Sequence, residues 1–364
     1  MINNKPNLFQ WATKELSQDA VLLYLADCYN YEETKIVGEK FLHTFYGEFV
    51  KPDKVYSIKQ YYNIDVLIVL EYVTHYDLLV VEDKTNTSFH SNQLSRYREL
   101  IQNLKNFEYT DYGITYKPIK NTKFVYFKPI LFDDNEKQVC ENEAYSIRVY
   151  EDLLTVLESN NSDPVLQTYL EYYRHAHLKE SLWMQLDKLP SLNNESTDEL
   201  MSSYCGQWIL MKLLLRQIED DRFNIGRMYQ GTSFGRPYTQ YRFIIDNDCQ
   251  EKNWLNLKFD TEVRGDYSYF FRLDSDTDGY YISCNQYIYD KNKATQREKL
   301  EEHTSLTEYL RGKSINHLHK GRGKKETRLW LYYFKTIDDL LHVTDELSNL
   351  RNCITEFISE KYKQ

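Results

Sequence analysis

Three short apolar runs between residues 55 and 84 constrain the fold of this chain more than any other feature of its sequence. The runs read VYSIKQYY, IDVLIVLEYV and YDLLVVEDK, and polar breaks separate them. β-branched and aromatic residues favour extended backbone, and runs of this length are typical of strands. The sequence therefore predicts three successive strands that form a meander.

The segments around this meander alternate between helical and strand patterns. Apolar residues recur every three or four positions over residues 8–30, 32–50, 91–104 and 164–186, which predicts helices. The run TKFVYFKPIL, from Thr122, predicts a buried strand that ends near Pro129, and YSIRVY followed by EDLLTVLES predicts a further strand and helix. Residues 1–186 are thus predicted to form one α/β domain.

A second domain is predicted to follow a short linker. The chain has 364 residues, enough for two domains, and DKLPSLNNESTDEL at residues 187–200 interrupts every periodic pattern. Within it, Ser196 and Glu199 form a capping box that opens the next helix. We expect an α+β domain over residues 187–364, which selects the substrate or regulates access to it, with strands at YTQYRFII, NWLNLKFD, YSYFFRL, YYISCNQYIY and RLWLYYF.

Charge and cysteine content exclude several classes of protein. The formal net charge is −10, so contact with a nucleic acid would need a local basic patch. The 6 cysteines are scattered and lack the paired spacing of a zinc site. The first residues do not read as a leader peptide, and no run of about 18 apolar residues occurs. We therefore expect a cytoplasmic protein without a membrane partner.

Charged residues stand at the ends of two of the predicted strands. Asp65 opens the second strand, and Glu82, Asp83 and Lys84 close the third. Side chains alternate along a strand, so Glu82 and Lys84 point to the same side, and Asp65 can converge with them if the strands are neighbours. Burying such a group is costly unless a ligand uses its charge. Mg²⁺ suits it, with the Asp65 and Glu82 carboxylates and the Asp83 carbonyl as ligands and Lys84 beside the substrate phosphate.

This pattern resembles the PD-(D/E)XK nuclease superfamily over about residues 8 to 160. The resemblance implies a restriction-endonuclease-like αβββαβ core, a mixed sheet flanked by helices. Asp65 takes the first acidic position of the family, and Glu82 and Lys84 take the (D/E)XK positions. Ile64 replaces the proline that usually precedes the aspartate, which has little effect because that proline makes no bond to metal.

Two further residues are assigned through the same resemblance. Gln93 and Tyr97, in QLSRY, match the QxxxY element of recombination helicase-nuclease domains; they lie four residues apart on one helical face and could reach the scissile strand. Glu15, in the first helix, stands where many members of the superfamily have another metal-ligating glutamate. A solvated helix residue is the alternative interpretation of Glu15.

The resemblance also implies an activity. We expect a Mg²⁺-dependent nuclease, with Mn²⁺ able to substitute, that hydrolyses phosphodiester bonds in DNA and serves defence against foreign DNA, restriction or repair. Its catalytic residues would be Asp65, Glu82, Lys84, Gln93 and Tyr97, and its metal ligands Asp65, Glu82, Asp83 and Glu15. The alternative is a catalytically silent protein that retains the fold and binds nucleic acid or another partner. RNA as the substrate remains open at this stage.

Three signals in the second half of the chain leave alternatives open. The apolar stripe over residues 336–362 predicts either a homodimer seam or a helix packed on its own domain. The basic segment 311–328 suits a loop that follows a phosphate backbone or a solvated linker. Tyr280 and Tyr281 could stack on bases or belong to the core.

DSDTDG, at residues 274–279, is interpreted as a polar hairpin turn because position 12 of a calcium loop would be Asn285.

Overall fold

A computed structural model of the chain divides into two units, Met1–Leu182 and Trp183–Gln364. The predicted boundary after residue 186 stands close to this division. The structure describes residues 14–47, 50–85, 92–159, 163–218, 228–245, 268–288, 293–319 and 326–362.

The first unit is built on a mixed sheet. Its strands are β1 (Lys54–Tyr61), β2 (Ile64–Glu71), β3 (Tyr76–Asp83), β4 (Asn106–Tyr109), β5 (Ile114–Phe127) and β6 (Ser146–Arg148). The order across the sheet is β1-β2-β3-β5-β4, and β6 pairs with β5. β1, β2 and β3 form the predicted antiparallel meander, whereas β5 lies parallel to β3. The predicted meander is therefore confirmed.

Helices flank this sheet. They are α1 (Lys14–Asp27), α2 (Lys35–Tyr46), α3 (Gln93–Gln102), α4 (Asp134–Asn142), α5 (Tyr150–Glu158) and α6 (Pro164–Met184). α1 packs against β1, β2 and β3. α3 follows β3 along the chain and buries Leu94, Tyr97 and Ile101 in a core with alternate residues of β2, β3 and β5. The predicted α/β class, a mixed sheet flanked by helices, is confirmed at this level.

The first half of β5 and its partner β4 were not predicted. The predicted strand began at Thr122, whereas β5 begins at Ile114 and includes Pro118. Residues 114–118 pair with β4, whereas pairing with β3 begins at Ile119. This part of β5 is therefore an edge, where a proline can stand without removing a hydrogen bond between strands. Polar residues dominate this half, and their pattern is that of a loop.

The second unit contains a five-stranded antiparallel sheet in the order β11-β10-β9-β8-β7. Its strands are β7 (Met228–Ser233), β8 (Arg236–Ile245), β9 (Ser268–Ser275), β10 (Tyr280–Tyr287) and β11 (Glu326–Phe334). Its helices are α7 (Thr197–Ser202), α8 (Tyr204–Gln217), α9 (Lys293–Gly312), α10 (Ile337–Leu341) and α11 (Thr344–Tyr362). The run NWLNLKFD lies outside the described residues, and β7 was not predicted.

The apolar stripe near the C-terminus is buried within the single chain. Leu340, Leu347, Leu350 and Ile354 have no exposed surface, and α11 packs against α9. The stripe packs on its own unit, as in the second interpretation above. A homodimer stays a prediction, and its interface would have to lie outside this buried stripe.

The polar segment DSDTDG forms a turn, as predicted. It joins β9 to β10, and the backbone N–H of Asp276 donates to the carbonyl of Gly279 at 3.0 Å. Gly279 adopts a φ of 136°, which only glycine reaches without strain. Of the basic segment 311–328, residues 320–325 lie outside the described part of the chain.

No helix among the described residues has both the length and the apolar character needed to cross a bilayer.

Candidate active site

The ends of β2 and β3 bring the three predicted central residues together. In the antiparallel register Val66 pairs with Val81, so Asp65 and Glu82 are neighbours at the same end of the two strands. Lys84 follows directly, and its Nζ lies 2.5 Å from Glu82 Oε1 and 3.4 Å from Asp65 Oδ2. Two carboxylates and one ammonium therefore meet at one point, as the alternation of side chains predicted.

Backbone hydrogen bonds fix the position of this group. The N–H of Asp83 donates to Asp65 Oδ2 at 3.1 Å, and the N–H of Lys84 donates to the carbonyl of Phe127, the last residue of β5, at 2.9 Å. Lys84 Nζ also donates to the Asp83 carbonyl at 3.1 Å. The chain beyond β3 is thus held between β2 and β5, which limits the movement of Glu82 and Lys84.

Glu82 is the most deeply buried member of the group. Its side chain has no exposed surface, and within the described part of the protein its Oε2 accepts no hydrogen bond. Burial and the Asp65 charge raise the pKa of the Glu82 carboxyl, the Lys84 ammonium offsets part of the rise, and the resulting pKa is about 7. Burial alone would lower the pKa of Lys84, but Glu82 and Asp65 outweigh it and the net shift is upward. Lys84 therefore stays charged at neutral pH.

Asp65 leaves the site open to solvent. Its side chain is 25% exposed, compared with 11% for Lys84. A ligand can therefore approach the two carboxylates from the Asp65 side without unfolding the strand ends. The ion pair is compact, but it is not sealed inside the core.

Asp83 points to the other face of β3 and contacts α1. Gln18 Nε2 donates to Asp83 Oδ1, and the carboxyl groups of Asp83 and Asp19 are in hydrogen-bonding contact. Gln18, Asp19 and Asp83 are all nearly fully buried. Burial, followed by the neighbouring Asp19, raises the pKa of Asp83 well above its ordinary value. The two carboxyl groups must share a proton or repel each other.

Asp19 is the acidic residue of α1 that sequence reasoning missed. The resemblance pointed to Glu15, which lies in the first turn of α1 but whose side chain is outside the described part of the structure. Asp19 lies one turn later on the same helical face. Burial raises the pKa of Asp19 to about 6, and the charges of Asp65 and Lys84 also act on it. The spacing of the acids along ELSQDA could not distinguish these two positions.

We expect an Asp83→Asn variant to be more stable than the wild-type protein at about pH 8. Burial and the neighbouring Asp19 raise the pKa of Asp83, so the folded state binds more protons than the unfolded chain and its stability falls as pH rises above the ordinary range of an aspartate. Asparagine can accept from Gln18 and donate to Asp19, so the variant should gain about 2 kcal/mol.

Thermal unfolding in EDTA, measured from about pH 4 to pH 8, checks this expectation. The melting temperatures of the two proteins should converge at the acidic end and separate towards the alkaline end. Parallel curves would show that Asp83 and Asp19 do not form the acid pair described above.

The structure places Gln93 and Tyr97 beside the start of β2. The Tyr97 hydroxyl donates to the Asn63 carbonyl at 2.5 Å and accepts from Gln93 Nε2 at 3.1 Å. Tyr97 is buried, and Gln93 is partly exposed. Asn63 lies two residues before Asp65 and has a positive φ of 68°. In this conformation Tyr97 positions the strand that carries Asp65. That Gln93 and Tyr97 reach the scissile strand stays a prediction.

A Tyr97→Phe variant should lose about 1 to 2 kcal/mol of stability, because the buried carbonyl of Asn63 loses its donor. We also expect the nuclease activity that the resemblance implies to fall severalfold as Asp65 becomes less well positioned. Tyr76→Phe is the matched control: its hydroxyl donates to the Thr115 carbonyl at 2.8 Å. Both variants should melt at lower temperature, but only Tyr97→Phe should slow cleavage. An equal effect on cleavage would remove the positioning role.

The donor atoms of the site fit a hard divalent cation. Within the described ranges no group of three or more His, Cys, Asp and Glu side chains is arranged to hold a metal. Mg²⁺, however, needs only one or two carboxylates, together with water and a substrate phosphate. Asp65 and Glu82 supply these carboxylates, and the buried Glu82 Oε2 without a hydrogen bond is an atom that a cation would satisfy. The Asp83 carbonyl, the third predicted ligand, accepts from Lys84 in the present conformation.

Comparisons with known proteins add no further support. No family model matches the chain, and no curated protein or solved structure is significantly similar to it. Function has to be inferred from the chemistry of the site itself.

Proposed function

We propose that this protein is a Mg²⁺-dependent nuclease that hydrolyses phosphodiester bonds in DNA. The observation that carries the proposal is the meeting of Asp65, Glu82 and Lys84 at the ends of β2 and β3, with Lys84 Nζ within 3.4 Å of both carboxylates. Two acids and an ammonium at one point of a sheet suit the transfer of a phosphoryl group.

The order of elements in the first unit supports this proposal. Helix α1 precedes an antiparallel meander, and α3 then leads to β5, which lies parallel to β3. The αβββαβ core implied by the resemblance has this sequence of elements, and α2 and β4 are additions to it. A role in defence against foreign DNA, restriction or repair follows from the resemblance alone and is proposed on that basis.

Each residue of the site has a distinct part in the proposed reaction. When bound, Mg²⁺ would polarise the phosphate and lower the pKa of a water molecule. Asp65 and Glu82 would hold the cation, and the buried Glu82 has a pKa of about 7, so binding would favour its ionised form. Lys84 would orient the attacking water and neutralise charge that develops on the phosphate. Tyr97, through Asn63, would keep Asp65 in place.

One observation also favours a catalytically silent protein. Lys84 Nζ contacts Glu82 Oε1 at 2.5 Å, and an ion pair of this kind can have a structural role alone. Such a protein would bind nucleic acid through the same fold without cleaving it. The two functions differ in whether a divalent cation produces turnover.

Cleavage assays distinguish them. Supercoiled plasmid, a single-stranded DNA and an RNA are incubated with the full chain in Mg²⁺, in Mn²⁺ and in EDTA. We expect cleavage of DNA in either metal and none in EDTA, and an Asp65→Asn protein purified in parallel reveals any contaminating nuclease. If wild type and variant act alike, or if no substrate is cut in either metal, the proposed function is wrong.

A further inference from the structure

One end of the second sheet carries a polar cleft of about 400 Å³. The β7–β8 hairpin, the turn between β9 and β10, and the first residues of β11 line it. A volume of this size is within the range of small-molecule and nucleotide sites. Asp274 and Asn285, two polar residues that line it, are 1% and 2% exposed, so the cleft has a built interior.

Arg272, one of the arginines that line the cleft, is held by several contacts. Arg272 Nε donates to Asp274 Oδ2 at 2.9 Å, and its Nη1 donates to Glu326 Oε2 at 3.1 Å. Its guanidinium also lies 3.9 Å from the centre of the Tyr238 ring. Carboxylates on one side and an aromatic face on the other fix the plane of this group. The charge of Arg272 is largely neutralised by Asp274 and Glu326, so this residue shapes the cleft and attracts an anionic ligand only weakly.

Two other arginines keep their charge available. Arg328 donates to the Tyr281 hydroxyl at 2.8 Å and lies 4.6 Å from the centre of that ring, and the Tyr281 hydroxyl in turn donates to Asp274. Arg236 is exposed and donates to the backbone carbonyl of Asp276 at 3.2 Å. Among the described residues, neither Arg328 nor Arg236 forms an ion pair with a carboxylate. Their positions at the cleft suit a phosphate group.

An aromatic side chain stands at the rim. Phe234 is at the tip of the β7–β8 hairpin, where Ser233 pairs with Arg236, and its side chain is fully exposed. Phe234 and Gly235 have φ values of 49° and 78°, the pattern of a two-residue turn that favours Asn-Gly. A bulky residue with a positive φ is strained, and the hairpin does not require it. The structure thus presents a phenyl ring to solvent at the expense of turn stability.

We propose that this cleft binds an unpaired nucleotide of a single DNA strand. One base would stack on Phe234, since every base has a π face and stacking needs no particular sequence. Arg236 and Arg328 would hold the adjacent phosphates. With a net charge of −10 the chain needs such a local site to hold a polyanion. The site lies in the second unit; the choice of DNA over RNA rests on the proposed function, whereas binding of a single strand does not depend on cleavage.

Phe234→Asn is the decisive variant because its turn should be at least as stable as that of the wild type. Binding of a fluorescein-labelled thymidine oligonucleotide to the full chain is measured by fluorescence anisotropy in EDTA, so that cleavage does not contribute. We expect the dissociation constant to rise about tenfold in Phe234→Asn, and Phe234→Tyr to bind as the wild type does. The melting temperature should not fall.

A second pair of variants tests the phosphate contact. Arg236→Ala should weaken binding and reduce the slope of log affinity against log salt concentration by about 0.7, the value for one phosphate of a single strand. Arg216→Ala removes another exposed arginine, at the end of α8, and should change neither quantity.

The proposal is overturned if the wild type does not bind the single strand, or if Phe234→Asn binds it as tightly as the wild type does. It is also overturned if Phe234→Asn weakens binding of a blunt duplex by the same factor. Loss of single-strand binding with duplex binding unchanged supports it, whether or not the protein cleaves DNA in Mg²⁺.

Discussion

Replacing Asp65 with asparagine should slow metal-dependent cleavage of DNA about a thousandfold while leaving the fold intact. Asparagine has the shape of aspartate, and its amide oxygen can still accept from the N–H of Asp83, which now donates to Asp65 Oδ2 at 3.1 Å. What is lost is one negative charge at the more exposed end of the site. A hard divalent cation binds carboxylate far better than amide, so the variant should require much more Mg²⁺.

The measurement is the initial rate of plasmid cleavage at several Mg²⁺ concentrations, with the melting temperature as a test of folding. Glu71→Gln is the matched control because Glu71 is the last residue of the same strand, about 20 Å from Asp65. Glu71 pairs with Lys117 at 2.6 Å, and losing this partly exposed pair should cost less than about 1 kcal/mol. If Glu71→Gln also loses cleavage, or Asp65→Asn retains it, Asp65 is not at the centre of the reaction.

A Lys84→Met variant should also lose about a thousandfold in rate, but for a different reason. Methionine fills a volume similar to that of lysine and removes the ammonium that contacts both carboxylates. Without the ammonium, Mn²⁺ has no competing cation at the two carboxylates. Mn²⁺ should therefore bind as tightly as before or more tightly. Slow cleavage with undiminished metal binding would separate Lys84 from the metal ligands.

The pH dependence gives a second readout for this variant. Lys84 now holds down the pKa of Glu82, which is about 7 through burial and the Asp65 charge. Removing the ammonium should raise that pKa, so any residual activity should need a higher pH than in the wild type. Lys117→Met, which removes the lysine of the ion pair with Glu71, is the control and should shift neither rate nor pH profile.

Calorimetric titration with Mn²⁺ and rate measurements across the pH range check both expectations. A Lys84→Met protein that cleaves DNA at the wild-type rate would leave Lys84 with a structural role only. A variant that fails to bind Mn²⁺ would mean that Lys84 acts by holding the carboxylates in place.

Much of the site could be predicted because it depends on neighbours along the chain. The apolar runs set β2 and β3, and the period of two in a strand puts Glu82 and Lys84 on one side and Asp83 on the other. A tight antiparallel connection then brings Asp65 to Glu82. Each of these steps involves residues fewer than twenty positions apart, where local pattern and strand pairing act together.

The sequence pattern did not predict the contacts between residues that are far apart in the chain. Asp19 meets Asp83 because of how α1 packs across the sheet, and Tyr97 reaches Asn63 because α3 packs against residues of β2. β4 and the first half of β5 are polar and contain Pro118, so their pairing leaves little trace in hydropathy. The cleft proposed to bind a single strand is lined by Arg272, Arg328 and Phe234, which come from three different strands or turns of the second unit.

The strands of the meander, and the side of the sheet on which each charged residue lies, follow from the amino-acid pattern, because both depend on a period of two and a run of apolar residues. The burial of Asp19 beside β3, the hydrogen bond from Tyr97 to the Asn63 carbonyl and the covering of the C-terminal stripe by its own chain depend on tertiary packing. Packing determines which part of a helix is buried, and it does so through contacts between residues that are far apart in the chain.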